Sequence, residues 1–349
     1  MDESKNFSWN LISRFRTEIM GIAILFVLIR HCDSFSWGFL QSPIQQLISV
    51  FSCGVDIFLF VSGFGLYFSM KKDKSVLRFY KRRFVRIIPE YICIAGISYV
   101  VLNALHKAGG WKELLLQLST VRAAFLEGTN DASHLWYMFF IVSAYVVFPG
   151  IYFIGNCGKK IHTAFFIIGS IIPILAELLL FIAVPHFMLM HRLDMHLPRI
   201  SVFLLGLYYG YRAGEGAVSS KKIVLVLFAF FLVLRLGKIV LMGLSNEVPV
   251  GQMFVRIANQ CFGLAVMIST GVLMEKLEEY RLKIIPAVLR WFGTVSFELY
   301  LLHFFLLMIW HALGLHNAWY IYFTVIIPCS CLLAEALLLC KRRIGKLKN

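Results

Sequence analysis

The segment "AILFVLIRHCDS", residues 23–34, ends an apolar run with Arg30 and His31 side by side and Asp33 two positions on. A neutral imidazole titrates near physiological pH, so it can take a proton from a hydroxyl or carry an acyl group. An ionisable residue at membrane depth marks a functional site by default, whereas one at a tilted helix end merely snorkels to the interface. Depth separates the two readings. The uninterrupted apolar run Ile19–Ile29 covers about 16 Å as a helix, about half of a hydrocarbon core of ~30 Å. Glu18, Arg16 and Arg14 bar extension backwards. The span therefore continues through Arg30, His31, Cys32 and Asp33 towards the interfacial aromatics Phe35 and Trp37. His31 falls in its outer half, facing the bundle interior or a water-filled cavity. Arg30 alone reads as a snorkelling cation.

Other stretches carry chemistry of the same kind. "CGVDIFLFVSGFGLYF" (53–68) sets Asp56 inside a second span, where a structural hydrogen bond and a catalytic role are both open, and its glycines read as close helix packing. "YKRRFVRIIPEY" (80–91) holds Arg82, Arg83 and Arg86, the last two on one helical face. Forked guanidinium hydrogen bonds suit a phosphate or pyrophosphate, and the same residues suit a positive-inside anchor. "HLWYMFFIVSAYVVFP" (134–149) opens with His134 and Trp136, and "GTVSFELYLLH" (293–303) puts Glu298 and His303 into one span on different faces. The stretch 186–199 adds His186, His191, Arg192, Asp194, His196 and Arg199. Histidines five apart share no helical face, so no metal site is expected there, and the polar loop suits a sugar instead.

The elements holding these residues are membrane spans. Of 349 residues 59% are hydrophobic and only 15% charged, at a mean hydropathy of +0.77, against about a quarter charged in soluble domains. The expected fold is an all-α membrane protein, a bundle of about ten transmembrane helices near 17–35, 46–70, 88–106, 134–155, 161–184, 197–212, 221–243, 251–274, 290–312 and 317–340. The organisation is a tail over 1–16, one transmembrane domain over 17–340 and a basic tail over 341–349. Lys71, Lys72, Lys74, Arg78, Lys81, Lys159, Lys160, Lys221, Lys222 and Lys341 fall on alternate turns. The positive-inside rule makes that side, and both termini, cytoplasmic. Topology thus accounts for most of the net charge of +15, and nucleic-acid binding is excluded as its cause. The eight cysteines lie mostly in apolar runs without a C-x-x-C and read as small buried hydrophobes.

Taken in order, "GIAILFVLIRH", "GVDIFLFVSGF", "FYKRRFVRIIPEY", "HLWYM", "RISVFLLG" (Arg199–Gly206) and "SFELYLLH" resemble the acyltransferase-3 family of integral-membrane acyltransferases, over roughly residues 14–310. The resemblance implies a multi-pass enzyme of the cell membrane, mostly bacterial. Such enzymes move an acyl group, commonly acetyl from cytoplasmic acetyl-CoA, to a hydroxyl of a cell-surface or lipid-linked carbohydrate. His31 matches the family's essential histidine, and Arg83-x-x-Arg86 its arginine pair, with Arg82 beside it for donor binding. Asp56, His134, Trp136, Arg199, Glu298 and His303 become candidates for orienting His31 or lining its cavity. The expected partners are acyl-CoA as co-substrate, the carbohydrate acceptor and the bilayer, with no permanent cofactor and no metal. One departure stands out: the family often has an arginine eleven residues before the histidine, where this chain has Met20, and Arg16 or Arg14 are the candidates to replace it. The alternative function is a transporter or flippase of a glycan or small polar solute. No internal duplication of the kind common in transporters is visible, and the acids Asp56, Glu177, Glu298 and Glu335 are too scattered for an ion path.

Overall fold

The computed structural model describes residues 5–105, 110–120, 136–156, 158–183, 190–244 and 249–347. Among these, seven helices are long and apolar enough to cross a membrane, eight if one bent pair counts as a single span. They belong to α4 (Cys53–Lys72), α5 (Val76–Ala104), α7 (Trp136–Gly155), α8 (Lys159–Ala183), α10 (Lys222–Leu244), α11 (Pro249–Glu279) and the terminal α15 (Ile327–Leu347). The remaining helices are α1 (Asn10–Arg14), α2 (Arg16–His31), α3 (Gln41–Ile48), α6 (Trp111–Leu118), α9 (Met190–Gly214), α12 (Ile284–Thr294), α13 (Ser296–Ala312) and the short α14 (Trp319–Ile321). The chain is a multi-pass helical membrane protein. Side chains such as Leu225, Val233, Leu236 and Val240 on α10 point outward, as a bilayer rather than water requires.

Three expected spans differ from the simple picture, and one of them, the sixth, falls on α9, which is long but not among the helices apolar enough to cross a membrane. The first is α2, which ends at His31 and covers only about 24 Å; a 3-10 turn, Cys32–Ser34, follows it. The ninth, expected over 290–312, is broken: α12 and α13 meet at Val295 with a bend of 68°. The Ser296 hydroxyl donates to the Gly293 carbonyl at 2.9 Å, a side-chain bond that competes with the helical ladder and bends it. The stretch before the first span is folded. Strand β1 (Asn6–Ser8) pairs antiparallel with β2 (Val218–Ser220), and Trp9 stacks on Tyr209 at 3.8 Å while its Nε1 donates to Ser219.

Glycines set the tightest crossings. A Cβ built on Gly21 would lie 2.0 Å from the Leu289 carbonyl oxygen, and one on Gly293 would lie 1.8 Å from that of Thr17. Helices α2 and α12 therefore touch backbone to backbone, the close approach that small residues permit in membranes. Gly63 and Gly206 do the same for α4 against α9, with Phe203 and Phe60 carbonyls at 2.3 and 2.2 Å. Gly65 serves another purpose: its missing Cβ leaves room for the Arg16 guanidinium, whose Cζ would otherwise be 2.9 Å away.

Helix α5 begins in the basic stretch. Asp73 accepts from Arg78 at 2.8 and 2.9 Å and from Arg82 at 2.7 Å, and these guanidinium bonds hold its carboxyl well below the usual carboxylate range. Farther along α5, Lys341 pairs with both Glu90 and Glu298, tying α5, α13 and α15 together.

Gly21→Ala should cost about 1–3 kcal/mol of stability, the usual range for overpacking. Gly96→Ala, where a methyl group meets nothing within 4 Å, should stay within about 1 kcal/mol of the parent. Thermal unfolding of the two variants in detergent measures the difference.

Candidate active site

His31 owes its position to how α2 ends. The Cys32 N–H bonds back to Ile29 O, three residues away rather than four. The Leu28 carbonyl accepts instead from the buried Tyr322 hydroxyl at 2.7 Å. Tyr322 opens a π-helical turn, Tyr322–Ile326, a distortion frequent at functional sites. The loop beyond is fastened as well: Ser36 N–H donates to Asn317 O, Trp319 N–H donates to Ser36 O, and Trp37 stacks on Trp319 at 5.1 Å.

The His31 ring lies 5.1 Å, centroid to centroid, from the ring of His303, with Phe304 edge-on at 5.3 Å. His303 is fully buried, and its Nδ1 lies 2.6 Å from the Leu299 carbonyl. A carbonyl only accepts, so Nδ1 carries the proton and Nε2 is the acceptor of this imidazole. That Nε2 has no hydrogen-bond partner.

His31 borders a chamber of about 470 Å³, and His303 stands behind it. Its walls include Arg30 and His31 of α2, Asp33 of the turn after it, Val55 of α4, Trp136 of α7 and Arg199 of α9. Arg30 pairs with Asp33 at 2.8 Å on its rim. Arg199 pairs with Asp56 at 3.2 Å, the two side chains only 8% and 5% exposed, and its guanidinium covers the Trp136 ring at 4.5 Å. His196 meets that indole edge-on at 5.7 Å. Asp56, Trp136, Arg199 and His303 are thus gathered with His31. Arg30 is a wall of the same chamber, ion-paired rather than snorkelling alone. Glu298 is not part of it, because its carboxylate is held by Lys341 Nζ at 2.7 Å at the basic end. His134 and His186 lie outside the described residues.

The arginine group sits at the opposite end of α2. Arg83 rests over Phe79 and Tyr145 at 5.7 and 5.9 Å. Arg86 lies beyond it, exposed, while Arg82 is turned to Asp73. Arg16, in the Gly65 notch, falls within electrostatic range of Arg83, Arg86, Tyr145 and Tyr137. The Nε atoms of Arg16 and Arg83 are buried without a hydrogen-bond partner. Arg14 is occupied by Glu278, so of the two candidates to replace an arginine at position 20 it is Arg16 that joins the group. From Arg16 to His31 the helix rises about 22 Å. The signal for Arg16 in the sequence was the second glycine of Ser62-Gly63-Phe64-Gly65, whose notch has no meaning until α2 and α4 are packed.

This arrangement has relatives. The model of the acyltransferase-3 family, described as an acyltransferase domain, matches residues 20–336. The chain belongs to that family and is a membrane acyltransferase. No curated protein and no solved structure matches it.

The Asp56–Arg199 pair yields a test of the chamber wall. Arg199→Met alone strands a buried carboxylate and should destabilise the protein by about 3–5 kcal/mol, whereas the double replacement Asp56→Leu with Arg199→Met should recover most of that loss. Unfolding midpoints of the single and double variants read this out.

Proposed function

We propose that the protein is a membrane-bound O-acetyltransferase that moves an acetyl group from cytoplasmic acetyl-CoA to a hydroxyl of a cell-surface or lipid-linked carbohydrate. In this reading the bundle has ten spans, both termini face the cytoplasm, and the membrane is the bacterial plasma membrane. The observation that carries it is the separation of two unlike sites along α2. Arginines with unsatisfied donors gather at the basic end, and an imidazole borders a roomy chamber at the other. A donor with a polyanionic head and a long thin thioester arm needs that layout: charge grips the head, and the arm delivers the acyl group elsewhere.

His31 is the catalytic residue of this scheme. Its neutral imidazole takes the proton of the acceptor hydroxyl as the oxygen attacks the thioester carbonyl. The tetrahedral oxyanion forms in a chamber walled by Arg30 and Arg199, whose positive charges favour it. Collapse breaks the carbon–sulfur bond, and the imidazolium returns its proton to the departing thiolate, leaving CoA thiol and the acetyl ester. A variant route has His31 carry the acyl group transiently. His303 acts as a positioning residue. With Nδ1 committed to Leu299 O, its Nε2 is available to an N–H of His31 and would leave the other His31 nitrogen free to act as base. Arg16, Arg83 and Arg86 hold the phosphates of the donor.

Host-cell membranes containing the protein, supplied with acetyl-CoA at the cytoplasmic face, should release CoA thiol and gain acetyl mass on surface glycan. His31→Ala should lower that rate by about 10²–10⁴-fold, the usual worth of a general base, with normal insertion. Full activity in His31→Ala contradicts its role, and glycan movement without thioester loss supports the transporter instead. Arg16→Ala and Arg83→Ala should each raise KM for acetyl-CoA about 10- to 100-fold, as expected for losing a charged hydrogen bond, with a smaller effect on kcat.

A further inference from the structure

A second cavity lies between the two sites. It measures about 50 Å³ and is lined by Met20 of α2, Val55 and Phe58 of α4, Tyr137 of α7, and Ser296, Phe297 and Tyr300 of α13. Val55 also lines the His31 chamber, so the two spaces share a wall. At the other end Tyr137 is within electrostatic reach of Arg16 and Arg86. Along α2 the order is Arg16, Met20, His31, with Met20 about 6 Å above the arginine and about 16 Å below the histidine. The small cavity therefore lies beside α2 at a level between the arginines and His31.

We propose that this cavity is a neck that admits slender, unbranched acyl groups and turns away branched and aromatic ones, and that Met20 sets its width. The inference rests on the transferase reading above. No charged side chain lines the neck, and the Ser296 hydroxyl is already committed to Gly293 O. A phosphate has no cation to hold it there, so the donor's head stays at the arginines and only the thin arm enters. The volume excludes rings, because an apolar protein cavity that takes benzene measures about 150 Å³. Most of the wall is stiff. Tyr137 packs edge-on against Tyr300 at 5.2 Å and lies 6.4 Å from Phe58, while Phe58, Ser296 and Tyr300 are buried. The α2 backbone beside Met20 is pinned by the Gly21–Leu289 contact. What can yield is the Met20 side chain itself, unbranched and with three rotatable bonds. Above the neck the chamber has ample room, so the choice among acyl groups is made before the chemistry begins.

The test uses host-cell membranes, which carry their own acceptor, and compares acetyl-, propionyl-, isobutyryl- and benzoyl-CoA by thiol release and acyl mass on glycan. The wild type should turn over acetyl- and propionyl-CoA at least about tenfold faster than the branched and aromatic thioesters, the scale on which a tight apolar site discriminates one carbon. Met20→Ala should narrow the acetyl-to-isobutyryl ratio about tenfold, and Met20→Leu, close to it in volume, should keep it. Phe297→Ala widens the opposite wall and should act in the same direction, so the result does not hang on one variant folding. Equal wild-type rates for all four thioesters, or an unchanged ratio in both widening variants, overturn the neck while leaving the transferase intact. Turnover of none of the four by the wild type overturns the transferase reading itself.

Discussion

The arrangement depends on one contact, the backbone-to-backbone crossing of α2 and α12 at Gly21 and Gly293. Helix α2 carries the arginine at one end and the imidazole at the other, so its depth and rotation decide whether either is useful. A helix this short cannot be held at a fixed depth by apolar matching alone. The crossing holds it near its inner third, Tyr322 holds its last turn through the Leu28 carbonyl, and Gly54 seats it on α4 with the Ala23 carbonyl 2.6 Å from the missing Cβ. The bend at Val295 belongs to the same device. It lets α12 lie across α2 while α13 turns upward and delivers His303 to His31.

Much of this was legible in the residues. Counting an apolar run bounded by charges put His31 inside the first span; the helix stops on it, short of the Phe35 that the count expected, and a 3-10 turn follows. The chamber wall was foreshadowed by Trp136 and Arg199, and Asp56 and Arg199 are odd in apolar stretches because buried charge needs a partner. Which partner was not legible, since Asp56 and Arg199 lie on different helices and meet only through the Gly63–Gly206 crossing. Glu298 shows the opposite limit. Five residues from His303 along the same helix, it faces another side, and its partner Lys341 stands in the basic tail, which sequence alone reads as a loop anchor. The break at Val295 left no mark either, because valine is no helix breaker and the apolar pattern runs straight through it. The hydroxyl that bends the chain is a single serine.

Charge pairing separates structural from functional arginines. Arg290 donates to Glu18 through both Nε and a terminal nitrogen, Arg14 goes to Glu278, and Arg78 and Arg82 go to Asp73. Each of these lies against a carboxylate and needs nothing further. Arg16 and Arg83 instead stand near each other, against aromatic rings and a glycine notch. Bringing like charges together while leaving buried donors unused is costly, and a folded chain bears that cost where a ligand supplies the missing anion. The ligand is then felt as stability as well as turnover. In the proposed reading a polyphosphate head docking here would neutralise the pair and stabilise the crossing of α2, α4 and α5, so donor binding should rigidify the helix that carries His31.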